Sequence, residues 1–445
     1  MKYIYGIILA FLFQAQVIAQ YADLLNDTLN TTLNNKFNQY NLQGVTAAVA
    51  FPDGSVWTNT AGHKGTVALN PDVLFEAGSI SKSTIAAAIL LLEEAGKLSI
   101  DDTLYHYLSP LQNVSFGITL KQLLNHTNGL YNYTSHPDFL SFVNDPANWN
   151  TLVSIDSALA QWVDPPLKDP GLSWSYCNTG FLLLGKVVEA VENKALNLVL
   201  DSLLFTPLSL DNTFLAGYDS YPNDHSGYWL DAGVFEPDPA MSFVSAAWAA
   251  GGLFMTSSDL AKWGNELFSG NIISVASFTK LTDFVDDGYD GYGLAINRRY
   301  YRTREYLGHT GATLMQAKLS HSVEFDFSVA VISSDFGSFN STRFIENALI
   351  DAVNFHMDNY LVIEKNSEKA DVRLFPNPSE NQITLQNLYD FDALMVFDTK
   401  GAQKLARKLT TPQCQLQKSE LGAGVFILKL IQNNGDVVHK RIIFR

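Results

Sequence analysis

Phe75-Glu76-Ala77-Gly78-Ser79-Ile80-Ser81-Lys82 runs directly into Ser83-Thr84-Ile85-Ala86-Ala87-Ala88-Ile89-Leu90-Leu91-Leu92-Glu93-Glu94-Ala95-Gly96. The stretch predicts a helix from Ser79 to Ala95, closed by Gly96 as a C-terminal cap. Its apolar residues lie nearly all round between Ile85 and Leu92, so the helix is expected to be buried. Ser79 and Lys82 are three residues apart and share one face of the first turn. A serine at that point has a free backbone N–H and sits at the positive end of the helix dipole, which favours an oxyanion beside it. A lysine whose proton affinity is depressed by burial can take the serine proton. The same spacing also arises in an N-cap serine followed by a surface lysine, and S-x-x-K is common by chance.

Outward from this helix the pattern mixes strands and helices. Ala47–Phe51 and Val56–Asn59 flank Pro52-Asp53-Gly54 and read as a hairpin. Thr119 with Gln122, and Thr256 with Asp259, have the spacing of capping boxes that open two more helices. Phe181–Val191 reads as another helix. Tyr292–Ile296, Thr313–Leu319 and Phe325–Ser333 read as strands. Strands at both ends with helices between predict an antiparallel sheet whose halves come from distant sequence.

The charge divides the chain. Residues 1–360 carry a net −19 and residues 361–445 a net +3, for −16 over 445 residues. The polar run Glu364-Lys365-Asn366-Ser367-Glu368-Lys369 marks a linker at 361–371. Beyond it, in 372–445, Ile383–Leu385, Ala393–Phe397, Val425–Ile431 and Val437–Phe444 are short β-rich runs. Asn433-Asn434-Gly435-Asp436 is a turn signal between the last two, and a small all-β sandwich is expected. At the other end Lys2, the apolar run Tyr3–Phe13 and Val17-Ile18-Ala19 read as a secretory signal peptide over 1–19, too short to span a bilayer. That leaves 20–360 as the main domain.

Composition excludes several classes. With 47% hydrophobic and 17% charged residues the chain is not disordered. Its acidity argues against nucleic acid and anionic membrane surfaces as partners. No later apolar stretch is long enough to suggest a membrane span. Cys177 and Cys414 make neither a disulfide framework nor a C-x-x-C pair. With no H-E-x-x-H and no clustered carboxylates, neither a catalytic metal nor another cofactor is expected. G-x-S-x-G and the P-loop pattern are absent.

Two further triplets stand at meaningful places. Tyr176-Cys177-Asn178 precedes the helix at Phe181; tyrosine can shuttle a proton and asparagine can hold an amide. His309-Thr310-Gly311 precedes a strand, where glycine lets a substrate lie along the edge. With these, Leu123-Leu124-Asn125-His126-Thr127-Asn128-Gly129-Leu130 and Ala250-Gly251-Gly252-Leu253-Phe254-Met255-Thr256-Ser257-Ser258-Asp259-Leu260, residues 25–355 resemble the serine β-lactamase and penicillin-binding-protein superfamily, most of all its class C branch with D-alanyl-D-alanine carboxypeptidases and esterases. The resemblance implies an α/β (α+β type) β-lactamase/DD-peptidase fold: an antiparallel sheet flanked by helices, plus a helical region. It implies Ser79 as acylated nucleophile, Lys82 as its base, Tyr176 as proton relay and Asn178 on the acyl side of the substrate. It implies the backbone N–H groups of Ser79 and Ala312 as oxyanion hole, with His309, Thr310 and Gly311 lining the strand. His126 reads as a buried histidine fixing a loop.

The chain departs from that pattern at His309, where many relatives have lysine, and at Ala312-Thr313-Leu314-Met315-Gln316, where many have a Pro-Gly turn. An uncharged histidine predicts a preference for neutral esters or amides over carboxylate-bearing β-lactams. Asn340-Ser341-Thr342-Arg343 resembles the spacing that brings an arginine near a substrate carboxylate, though an exposed arginine at a helix start fits equally. Leu374-Phe375-Pro376-Asn377-Pro378, Val396-Phe397-Asp398, Gly422-Ala423-Gly424-Val425-Phe426 and Lys440-Arg441 resemble a type IX secretion sorting domain, implying export through the periplasm to the exterior or cell surface and a secretion-machinery partner for 372–445. The expectation is thus a secreted serine hydrolase acting on a small-molecule or peptide amide, ester or β-lactam. The alternatives are a non-catalytic binding protein on the same fold and a surface adhesin using the C-terminal sandwich.

Overall fold

The computed structural model describes residues 24–365 and 372–444, apart from 116, 221–224, 231–233, 238–239, 376, 378, 399–402 and 434–436. The expected signal peptide, residues 366–371 of the expected linker and the turn at 434–436 lie outside the described residues. The larger of two units comprises residues 33–51 and 56–347.

Its centre is a seven-stranded antiparallel sheet. The strands are β1 (Gly44–Ala50), β2 (Val56–Lys64), β3 (Val67–Ala68), β4 (Asn297–Tyr301), β5 (Arg304–Ala312), β6 (Gln316–Ser322) and β7 (Phe327–Ser333). Their order is β3-β2-β1-β7-β6-β5-β4. The two halves join at β1 and β7, with Val45 opposite Ser333 and Ala50 opposite Ser328. Asp335 fastens that join: its carboxylate accepts from the backbone N–H groups of Gln43 at 2.8 Å and Gly44 at 3.0 Å. Strands β1, β6 and β7 are buried along their whole length, which is why β1 and β7 read as runs of small and β-branched residues rather than as alternation.

Four helices matter to the site: α1 (Ser81–Glu94), α2 (Asn178–Glu192), α3 (Ser257–Phe268) and α4 (Phe339–Lys365). α3 lies on the sheet. A Cβ at Gly264 would stand 2.6 Å from a terminal methyl of Leu319 of β6, so glycine lets the two elements pack closely without moving that side chain. From its other side, Trp263 donates its indole N–H to Ser83 Oγ of α1 at 2.8 Å. The buried face of α1 is therefore clamped by packing and by one satisfied polar contact.

Several boundaries differ from expectation for local reasons. Tyr292–Ile296 is not a strand: Tyr292 makes only isolated bridges, Ala295 has φ +61°, and the strand forms after it as β4. The strand expected from Thr313 begins at Gln316, because Thr313 and Met315 close a turn through Thr313 N–H to Met315 O at 3.0 Å. The Thr119–Gln122 box is complete, whereas Thr256 caps Asp259 one-sidedly. The Asp259 carboxylate instead accepts from Asn212 N–H at 2.8 Å. α4 continues to Lys365, five residues into the segment read as linker.

The C-terminal strands form two antiparallel sheets. Arg373–Phe375, Gln382–Gln386 and Gln413–Gln417 make one; Gln403–Lys408, Phe391–Asp398, Gly424–Gln432 and Val437–Phe444 make the other. Ile383, Leu385, Leu394, Val396, Leu428, Leu430 and Ile442 are fully buried in their shared core. Alternation along the strands supplies this core, as a small sandwich requires. Among the described residues no helix is long and apolar enough to cross a membrane.

Candidate active site

The segment before Ser79 is held from two sides. Phe75–Glu76 pairs with Leu253–Met255, and Ala77 N–H donates to Leu253 O at 2.9 Å. Gly78, at φ +54°, then turns the chain into a single 3-10 turn, Gly78–Ile80, that leads into α1. Ser79 thus stands in the turn before the α-helix rather than at its N-cap. The end of β5 passes directly over this turn. A Cβ on Gly311 would lie 2.0 Å from Ala77 O, and one on Gly78 would lie 3.0 Å from Ala312 N. Both glycines are needed to bring the strand edge against Ser79.

Three side chains converge there. Lys82 Nζ lies 3.0 Å from Ser79 Oγ, and the Tyr176 hydroxyl donates to the same oxygen at 2.7 Å. Lys82 is fully buried and also donates to Ala250 O. Its amine stands 5.0 Å from the Tyr176 ring centroid and 5.4 Å from that of Phe181. Burial pushes Lys82 well below the ordinary lysine range and Tyr176 above the ordinary phenol range. Burial thus disfavours the charged form of Lys82, which suits its amine to take the serine proton.

Tyr176 is placed by His126. That residue is buried at φ +61°; its carbonyl accepts from Ser175 N–H at 2.9 Å and its Nδ1 from Cys177 N–H at 3.2 Å. The residues on both sides of Tyr176 are therefore tied through their N–H groups to one histidine. Asn178 opens α2, where its backbone N–H, an orphan donor of the first turn, is satisfied by Asn132 Oδ1 at 2.9 Å. Its side-chain amide donates to Thr134 Oγ1 at 3.0 Å. Cys177 is buried, and burial raises its thiol, so it packs rather than reacts.

His309, Thr310, Gly311 and Ala312 form the last part of β5, beyond the pairing with β4, which ends at Gly308 opposite Asn297. His309 points into the site: its ring centroid is 6.3 Å from that of Tyr176 and its Nε2 is 2.9 Å from Tyr292 Oη. Thr310 is the register partner of Lys318. Arg343 belongs to another cluster. It pairs with the buried Glu346 one turn along α4, and Glu346 also lies 3.6 Å from Arg299. The structure thus brings Ser79, Lys82, Tyr176 and the β5 edge together, places Asn178 at the start of α2 with its amide on Thr134, and pairs Arg343 with Glu346.

Sequence reading missed Tyr292, Asn132, Thr134 and Glu76. Of these only Tyr292 left a trace, a tyrosine between Gly291 and Gly293. Glu76 is fully buried three residues before the nucleophile candidate, and no hydrogen bond of ordinary geometry reaches either carboxyl oxygen. Burial pushes it up to about 7, with the Thr313 hydroxyl offsetting part of the effect. Among the described residues no group of histidine, cysteine and carboxylate side chains is arranged to hold a metal ion.

Two segments of the chain match known families. Residues 15–352 match the family described as Beta-lactamase, and residues 373–444 match the Secretion system C-terminal sorting domain. A putative penicillin-binding protein, PbpX of Bacillus subtilis, is 27% identical over 268 residues, covering 59% of this chain and 63% of that protein. The chain thus spans less than two thirds of that curated relative. A D-stereospecific amidohydrolase from Streptomyces sp. superposes with TM-score 0.61 at 26% identity, over 68% of this chain and 94% of that one. The D-amino acid amidase of Ochrobactrum anthropi SV3, complexed with D-phenylalanine, shares the fold at TM-score 0.66 and 21% identity, over 74% of this chain and 99% of that one. The type IX sorting domain indicates a secreted or cell-surface protein. Given the match over most of its length and the S-x-x-K serine at the foot of a buried helix, the chain belongs to the β-lactamase family.

Proposed function

We propose that this protein is a secreted serine hydrolase of the class C-like branch that works through an acyl-enzyme on Ser79. The observation that carries the reading is Ser79 Oγ held between the Lys82 amine and the Tyr176 hydroxyl. In its uncharged form the amine takes the serine proton as Oγ attacks the substrate carbonyl. The tetrahedral oxyanion is stabilised by the backbone N–H groups of Ser79 and Ala312, brought close by the two facing glycines. One such donor is worth about 3–4 kcal/mol of barrier in comparable sites. The proton passes through Tyr176 to the leaving amine or alcohol. Water then enters, Tyr176 with Lys82 removes its proton, and collapse of the second tetrahedral species frees Ser79 and the acid product. Asn178 and the β5 edge at Thr310–Gly311 hold the acyl portion.

The substrate class we favour is a neutral amide or ester of a D-amino acid. The D-stereospecific amidohydrolase is the relative that supports it. The site supports it too: burial pushes His309 down to about 3, so the residue standing where many relatives have lysine is uncharged at neutral pH. The C-terminal sandwich would engage the secretion machinery and be removed after export.

The test compares a D-phenylalanine anilide, a short-chain nitrophenyl ester and a chromogenic cephalosporin at pH 7.5, in wild type and Ser79→Ala. The reading expects turnover of the anilide or ester above the cephalosporin, abolished in the variant. A cephalosporin preferred by the wild type would contradict the substrate class. Turnover surviving in Ser79→Ala would contradict the mechanism.

A further inference from the structure

Two buried histidines address one phenol. His126 Nε2 lies 3.0 Å from Tyr292 Oη, and His309 Nε2 lies 2.9 Å from the same oxygen. All three residues are almost wholly buried. The two ends of this chain decide where its protons sit. Cys177 N–H can only donate, and it donates to His126 Nδ1, so a neutral His126 carries its proton on Nε2. The Thr310 carbonyl can only accept; it lies 2.6 Å from His309 Nδ1, so His309 carries its proton there and leaves Nε2 bare. Tyr292 has one proton. It accepts from His126 and donates to His309. Every donor then meets one acceptor, and no charge is needed.

Both nitrogens of His309 are consumed within the protein. We infer that His309 does not meet the substrate, and that Tyr292 is a positioning residue which locks His309 and His126 in opposite tautomers and so steadies the Tyr176 segment. This rests on the reading of Ser79, Lys82 and Tyr176 as the reaction centre. The surroundings keep the chain neutral. His309 is faced by Tyr292, by the Tyr176 ring, by Lys82 from α1 and by Lys318 from β6; His126 is faced by Tyr176, Tyr292, Cys177, Lys82 and His309. Asp287 and Tyr176 act on Tyr292. Burial holds both imidazoles below their ordinary value and the Tyr292 phenol above its own.

The full chain labelled with 15N-histidine tests the assignment directly. Long-range proton–nitrogen spectra, assigned with His126→Asn and His309→Asn, are expected to show His126 protonated at Nε2 and His309 at Nδ1, neither titrating between pH 5 and 8. A His309 signal protonated at Nε2, or titrating near 6.5, would overturn the inference. Tyr292→Phe keeps the ring and removes the hydroxyl, leaving the His126 donor and the His309 acceptor without a partner. It is expected to lower kcat about tenfold to a hundredfold with KM little changed. It is also expected to add an acid limb to the kcat profile between pH 5 and 7, removed again by Tyr292→Phe with His309→Asn. An unchanged profile in Tyr292→Phe would overturn the positioning role. Wild type with the assigned tautomers but without turnover would support the hydrogen-bonded chain and overturn the hydrolase reading.

Discussion

Replacing Glu76 by glutamine removes a buried ionisable group without changing its shape, and the effect on stability depends on pH in a calculable way. In the unfolded chain the carboxyl titrates at its ordinary 4.5, whereas burial pushes it up to about 7 in the folded protein. Below 4.5 both states are protonated and the group adds no pH dependence. Between 4.5 and about 7 the unfolded chain releases its proton while the folded chain keeps it, so wild-type stability falls as pH rises. Above about 7 the loss levels off. At 1.36 kcal/mol per tenfold difference in proton affinity, the gap amounts to roughly 3 kcal/mol. Glutamine cannot ionise, so Glu76→Gln escapes this loss. All seven tryptophans lie between Trp57 and Trp263, within the larger unit, so tryptophan fluorescence in a urea titration reports that unit alone. Measured at pH 4.5 and 8.5, the variant is expected to gain roughly 3 kcal/mol relative to wild type across the interval. Other groups titrate alike in both chains and cancel, as does any pH-independent packing difference. Parallel stability curves, or a wild type that gains on the variant toward pH 8.5, would refute the reasoning, because they would require an ionised and well-paired Glu76.

Three other outcomes are expected. Ser79→Ala abolishes turnover and Lys82→Ala nearly does; because both act on one proton transfer, the double variant should be no worse than Ser79→Ala, and a far worse double variant would contradict the shared role. Gly311→Ala drives a Cβ to 2.0 Å from Ala77 O, so it should cost about 1–3 kcal/mol in urea unfolding and lower kcat by on the order of a hundredfold as the β5 edge is displaced. A chain ending at Lys365 should fold and hydrolyse substrate, which gel filtration and a nitrophenyl ester assay would check, since the strands beyond it have their own core.

How much of this was legible in the sequence follows from how local each signal is. The proximity of Ser79 and Lys82 was legible because a three-residue spacing brings two side chains together in a helical turn, although Ser79 lies in the 3-10 turn before α1 and not in the α-helix expected from Ser79. The sheet built from distant halves was legible from the order of strands, although its fastening by Asp335 was not. Tyr292–Ile296 misled because its apolar residues match a strand, while Ala295 adopts φ +61° and breaks it. The Arg343–Glu346 pairing was available from i,i+3 spacing on a helix, a partner that neither the substrate-carboxylate reading nor the exposed-arginine reading included. The contact of His126 with Tyr292 spans 166 residues and Glu76 is buried by a turn from β5 to β6, so neither leaves a local pattern.

The most direct measurement of the central claim is intact-mass analysis after treatment with a fluorophosphonate probe, followed by peptide mapping. Wild type is expected to gain one phosphonyl adduct, located on Ser79, and Ser79→Ala to gain none. A wild type that stays unmodified, or an adduct that persists in Ser79→Ala, would contradict Ser79 as the nucleophile.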